Sequence, residues 1–151
     1  MYLTPIDVAA PPLACAVDIF FVLDASGSIG ASNFILAKSF LKRLVGRLGI
    51  SSGNTRVGVV TYATTVTFTR VINLNYAHSS LARLRSAITS LYYSGGLTNT
   101  DVALAFVRNT MMTSLAGDRS NVPNVVVVFS DGKSTKPTAT RVCIKCIERV
   151  L

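Results

Sequence analysis

The chain has 151 residues, 50% of them hydrophobic and 15% charged, with a mean hydropathy of +0.47, which excludes a largely disordered chain and fits one globular domain with a sizeable core. Its longest apolar runs, Ile19–Leu23 and Val125–Phe129, are strand-sized and fall far short of the roughly 18 residues of a membrane span. Lys and Arg outnumber Asp and Glu by 15 to 7, for a net charge of +8, and this favours acidic partners (nucleic acid, anionic glycans, acidic protein surfaces) without choosing among them.

Residues 1–15 contain Pro5, Pro11 and Pro12 among small side chains and read as an extended leader ahead of a domain spanning 16–151. They show neither the basic start nor the apolar core of a secretory signal. Ile19–Leu23 then reads as a strand buried on both faces. After the polar stretch Asp24–Gly30, apolar side chains at Phe34, Ala37, Leu41, Leu44 and Leu48 predict an amphipathic helix that stops at Gly49. Val57–Tyr62 is a second strand. The short link Ala63–Thr65 leads to the alternating Val66–Thr69, expected to be an antiparallel edge strand. Leu81, Leu84, Ile88 and Leu91 mark a second helix; Ala103, Phe106, Val107 and Met111 mark a third. Val125–Phe129 reads as a further fully buried strand, and a last helix over 139–151 carries Cys143, Cys146, Ile147 and Val150 on its core side.

Alternating strands and helices predict an α/β, Rossmann-like, doubly wound and mostly parallel sheet with helices on both faces. In such a sheet the first and last of these strands become neighbours, and ligands bind beyond their carboxyl ends. At those two ends stand Asp24-Ala25-Ser26-Gly27-Ser28 and Ser130-Asp131-Gly132-Lys133-Ser134, and Thr98 joins them if the Gly95-Gly96-Leu97 loop folds over the same end. Two carboxylates and three hydroxyls form an all-oxygen set suited to Mg²⁺, with Mn²⁺ or Ca²⁺ as alternatives. Such a set leaves positions on the ion for an outside carboxylate, and Lys133 beside it would attract one.

Asp24-x-Ser26-x-Ser28 after an apolar strand, Gly95-Gly96-x-Thr98-Asn99-Thr100, Phe129-Ser130-Asp131-Gly132 and the second strand Arg56–Tyr62 together resemble the von Willebrand factor type A domain over about residues 16–140. The resemblance implies a metal-ion-dependent adhesion site at Asp24, Ser26, Ser28, Thr98 and Asp131. It also implies a secreted, extracellular binding module that recognises a Glu or Asp of a matrix or cell-surface protein, collagen among them. Members generally continue with further strands and helices, so by this resemblance the domain lacks the last of them. Val125–Phe129 is then expected at an exposed edge open to self-association, and a disulfide partner for Cys15 lies beyond Leu151. Asp101 stands where a glycine is common in the family.

Three rival readings compete with this one. The first is a phosphatase of the haloacid dehalogenase type, whose strand ends in Asp-x-Asp; here Ser26 stands in the second position. The second is another enzyme class, but no phosphate-binding glycine loop or hydrolytic triad can be assembled, so a non-enzymatic chain is expected. The third is an intracellular subunit of a multiprotein assembly with the same fold. Cys143-x-x-Cys146 lies within a helix and reads as core cysteines rather than a redox or zinc motif. His78 reads as a solvated loop residue, and Lys38, Lys42, Arg43, Arg47, Arg83 and Arg85 as solvated helix faces. No regularly spaced aromatics suggest a nucleic-acid platform.

Overall fold

A computed structural model describes residues 16–132 and 134–148, the segment 144–148 by its backbone alone. The leader, Cys15 and Lys133 lie outside the described residues. Three strands, β1 (Val17–Asp24), β2 (Thr55–Tyr62) and β3 (Asn124–Phe129), form one sheet in the order β2-β1-β3, parallel throughout. The register runs Phe21 beside Val59 on one side and beside Val127 on the other. β1 is therefore the middle strand, and Ile19 through Asp24 are all buried, as its uninterrupted apolar run requires.

The helices are α1 (Gly30–Val45), α2 (Leu81–Thr89), α3 (Thr100–Phe106) and α4 (Pro137–Glu148). Alternate β1 side chains feed two cores. Ile19, Phe21 and Leu23 pack with Phe34, Leu41 and Val45 of α1 and Leu84 and Ile88 of α2. Phe20 and Val22 pack with Ala103 of α3 and with Val107 and Met111 beyond it. The period of 2 in the strands and of 3.6 in the helices thus builds the expected layers on both faces. Ser80 caps α2 by accepting a hydrogen bond from the Arg83 N–H at 3.3 Å.

Three expectations are corrected. Among the described residues Val66–Thr69 is not a strand. Val66 bridges Tyr62 and Ile72 bridges Val59, both antiparallel; an unbroken ladder from the first pair would bring residue 69, not 72, beside Val59. The three surplus residues are taken up in a tight 3-10 turn, Phe68–Arg70, which places Phe68 edge-on against Phe106 of α3 with ring centroids 5.4 Å apart. The ladder yields to an aromatic contact at the sheet's margin.

The third helix ends at Phe106 and continues as a π-turn, Val107–Met111. Widening the turn still brings Met111 inward, and its Cε lies 3.0 Å from where a Cβ on Gly58 would stand, with a Phe20 ring carbon at 3.2 Å. A Gly58→Val variant is expected to lose about 1–3 kcal/mol from this overpacking, measurable by urea unfolding. Finally, β3 is not fully buried: Val125 and Val128 are 42% and 41% exposed, because among the described residues β3 is paired only with β1.

α4 begins at Pro137, two residues before the expected start, with proline in the first turn where its missing N–H costs nothing. Cys143 is half-buried, whereas the expected inward positions Cys146, Ile147 and Val150 lie where side chains are not described. His78 is exposed, as expected, its Nδ1 3.3 Å from the Asn75 carbonyl.

Candidate metal centre

β1 and β3 deliver Asp24 and Asp131 to the same end of the sheet. Asp24 terminates the middle strand and is only 2% exposed. Its Oδ1 accepts from the Ser26 N–H at 2.8 Å, a turn closed by the carboxylate two residues back. Its Oδ2 accepts from the Ser130 hydroxyl at 2.7 Å, tying the ends of the two strands together. The Ser26 and Ser28 hydroxyls face each other at 3.1 Å, and Ser28 donates to Asp131 Oδ1 at 3.2 Å. Four predicted residues, Asp24, Ser26, Ser28 and Asp131, therefore lie in one chain of hydrogen bonds running from buried Asp24 and Ser26 to exposed Ser28 and Asp131.

The fifth, Thr98, arrives by backbone. The Gly27 N–H donates to the Gly96 carbonyl at 2.9 Å and the Gly95 N–H to the Ala25 carbonyl at 2.9 Å, lacing the 94–98 loop onto the 24–28 loop. Thr98 in turn anchors the segment after β3: its N–H donates to Thr135 Oγ1 at 3.1 Å, and its carbonyl accepts from the Thr135 N–H at 2.8 Å and the Ser134 hydroxyl at 3.2 Å. Among the described residues its own hydroxyl makes no hydrogen bond with the other four. Thr98 is thus brought to the same loop layer without joining the hydrogen-bonded chain.

Gly96 is required where it stands. Its φ is +98°, and a Cβ there would meet the Thr64 hydroxyl at 2.5 Å, the same hydroxyl that accepts from the Leu97 N–H at 3.0 Å. Asn99 completes the lacing, donating from Nδ2 to the Thr64 carbonyl at 2.9 Å. A Gly96→Ala variant is expected to cost about 1–3 kcal/mol of stability in thermal or urea melts, the usual toll of a side chain forced into this backbone region.

Sequence reasoning missed two neighbours of Asp24. Ser130 holds Asp24 directly. Tyr62, the last residue of β2 and fully buried, brings its hydroxyl to 3.1 Å from Thr100 Oγ1. Burial pushes the Tyr62 phenol up, the Thr100 bond opposes this, and the negative charge of Asp24 raises it further, so the ring keeps its proton beneath the carboxylate. Only the position of Tyr62 at the carboxyl end of a strand could have signalled it.

A cleft of about 330 Å³ opens beside the site, lined by Asp24 and Asp131, by Ile29, Asn33 and Ala37 at the start of α1, and by the end of β3. The donor set is wholly oxygen, and among the described residues no three His, Cys, Asp or Glu side chains cluster anywhere. Two carboxylates with neutral hydroxyls suit a small hard cation, and nothing in the set favours a soft one.

This fold and this loop constellation define a class. The family model for the von Willebrand factor type A domain matches residues 18–149, and the chain belongs to that family. It is 36% identical to vitrin of Mus musculus over 121 residues, which are 80% of this chain and 18% of vitrin. With the collagen alpha-4(VI) chain of Mus musculus it shares 35% identity over 124 residues, 81% of this chain and 5% of that one. The chain thus spans less than a fifth of these relatives' length. The structure of proximal thread matrix protein 1 from the mussel byssus with a zinc-occupied MIDAS motif superposes with a TM-score of 0.75 at 29% identity, over 89% of this chain and 33% of that one.

Proposed function

We propose that the chain is a non-enzymatic, cation-dependent protein-binding module of the extracellular matrix. Asp24, Ser26, Ser28, Thr98 and Asp131 would hold Mg²⁺, with Mn²⁺ or Ca²⁺ as alternatives, and a Glu or Asp of a matrix or cell-surface protein, collagen among the candidates, would complete the coordination. The observation that carries this reading is the hydrogen-bonded chain Asp24–Ser26–Ser28–Asp131 across the ends of β1 and β3. When bound, the ion supplies an electrophilic centre with exchangeable water positions. The chain's own residues do the rest: Asp24 is fixed from both oxygens, the neutral hydroxyls add no charge to satisfy the ion, and exposed Asp131 sets the rim. Lys133, next to Gly132, is the candidate for drawing in the partner's acid.

Membership of the family and the matrix relatives vitrin and collagen alpha-4(VI) support an extracellular location and a matrix partner. A phosphatase reading fares worse, because Ser26 is fully buried with its hydroxyl turned to Ser28, where a second carboxylate would have to deliver a proton. Immobilised matrix proteins should retain the chain in Mg²⁺ and release it on addition of chelator, and peptides presenting Glu should compete. Retention that survives chelator but disappears in high salt would move the function to the basic surface.

A further inference from the structure

The net charge is not spread over the molecule. Between Ala25 and Thr100 there is no Asp or Glu at all, against eight Lys and Arg, and that segment contains both helices covering one face of the sheet. Along the seam between α1 and α2 the cations are held by neutral acceptors. Lys38 Nζ donates to the Thr89 and Leu91 carbonyls at 3.1 and 2.6 Å, and Lys42 Nζ to the Thr89 hydroxyl at 3.3 Å. Arg85 Nε donates to the Lys42 carbonyl at 3.1 Å, and its guanidinium lies against the bare backbone of Gly46. Arg70 donates to the Ser90 carbonyl at 3.2 Å.

Capping of the α2 C-terminus accounts for some of these contacts. It does not account for Arg43 in the last turn of α1 or Arg47 just beyond it, both exposed, whose guanidinium groups bond nothing among the described residues. The one ion pair among those residues, Arg119–Asp18, lies elsewhere. The charge on this seam is therefore ordered and uncompensated. Burial and the positive charge of Lys42 both lower the Lys38 pKa, as mutual repulsion within such a group requires.

We propose that the α1–α2 seam is a second, metal-independent binding surface for a linear sulfated polysaccharide, centred on Lys38, Lys42 and Arg85, with the exposed Arg43 and Arg47 extending it around the end of α1. Lys38 and Lys42 of α1 stand one helical turn apart, about 5.4 Å, and Arg85 of α2 reaches the Lys42 carbonyl, a grouping that suits a chain with repeated anions. Charge complementarity alone would also admit nucleic acid, but the tyrosines on this side each carry an arginine over the ring. Arg83 lies over Tyr76 at 4.4 Å, Arg70 over Tyr92 at 6.0 Å and Lys38 over Phe34 at 5.4 Å. Phe40 is edge-on to Phe129 at 5.8 Å. Stacking a base on Tyr76 or Tyr92 from that side would displace the arginine already there, whereas sulfates need only the cations.

The test is heparin affinity of the 151-residue chain in chelator, compared with a Lys42→Glu/Arg43→Glu/Arg85→Glu variant and with an Arg108→Glu/Arg141→Glu control away from the seam. Circular dichroism and Mg²⁺ titration confirm that each variant is folded. The expected result is binding indifferent to chelator, roughly tenfold weaker in the seam variant and nearly unchanged in the control. Equal losses in both variants would overturn the proposal, as would binding abolished by chelator. So would single-stranded DNA of equal charge binding as tightly as heparin, or chemically desulfated heparin binding as tightly as the native form.

Discussion

Asp18→Ala should destabilise the fold by about 3–5 kcal/mol, as much as truncating a buried core phenylalanine. Asp18 interrupts the apolar face of the middle strand and is fully buried. It is tolerated because Arg119, 101 residues further on, encloses it. The Arg119 N–H donates to Oδ2 at 3.0 Å, while Nε and Nη2 donate to Oδ1 at 3.0 and 2.6 Å. The same guanidinium donates to the carbonyls of Val17 and Asn54 at 3.1 and 2.8 Å, so one side chain joins the starts of β1 and β2 to the loop before β3. Deleting the carboxylate strands a largely covered cation together with its hydrogen-bonding network. A stability of about 5–15 kcal/mol cannot absorb many such losses. Chemical denaturation of both Asp18→Ala and Arg119→Ala checks this, and a change below about 1 kcal/mol in each would show the pair to be an ornament of the surface.

That pair was invisible in the sequence, and the reason is physical. A strand is legible from its own side chains, so β1, β2 and β3 could be placed from apolar runs and the helices from a spacing of three and four. An Asp at the head of such a run has no partner visible at short range, and nothing local links position 18 to 119. The same limit explains Val66–Thr69. The short link Ala63–Thr65 gave the correct direction beside β2, but the looped-out Phe68–Arg70 depends on Phe106, which belongs to another layer. The convergence of Asp24 and Asp131 was easier to read because the first ends an apolar strand and the second stands two residues after another, and strand ends in a parallel sheet converge by construction. Ser130 and Tyr62 were missed because a hydroxyl that steadies a carboxylate leaves no pattern of its own.

Asp24→Asn separates the two things the carboxylate does. In the folded chain Asp24 is buried, and among the described residues its hydrogen bonds come from a backbone N–H and a hydroxyl rather than from a cation. An amide of the same shape keeps an acceptor for the Ser26 N–H and loses the buried charge, which is costly without a counter-ion. In chelator the variant should therefore be at least as stable as the unmodified chain. Adding Mg²⁺ should reverse that order. A cation at 100 times its dissociation constant stabilises the native state by about 2.7 kcal/mol, and the variant should forgo nearly all of it. Its cation affinity should fall by more than the roughly 10- to 100-fold typical of losing an outer supporting group. Asp24→Ala is the less informative change, since it also leaves the Ser26 N–H and the Ser130 hydroxyl unpaired at about 1–3 kcal/mol each. Paired thermal melts with and without Mg²⁺, beside calorimetric titration, read both quantities. If the Asn variant gains as much from Mg²⁺ as the parent, the ion is held somewhere other than the ends of β1 and β3.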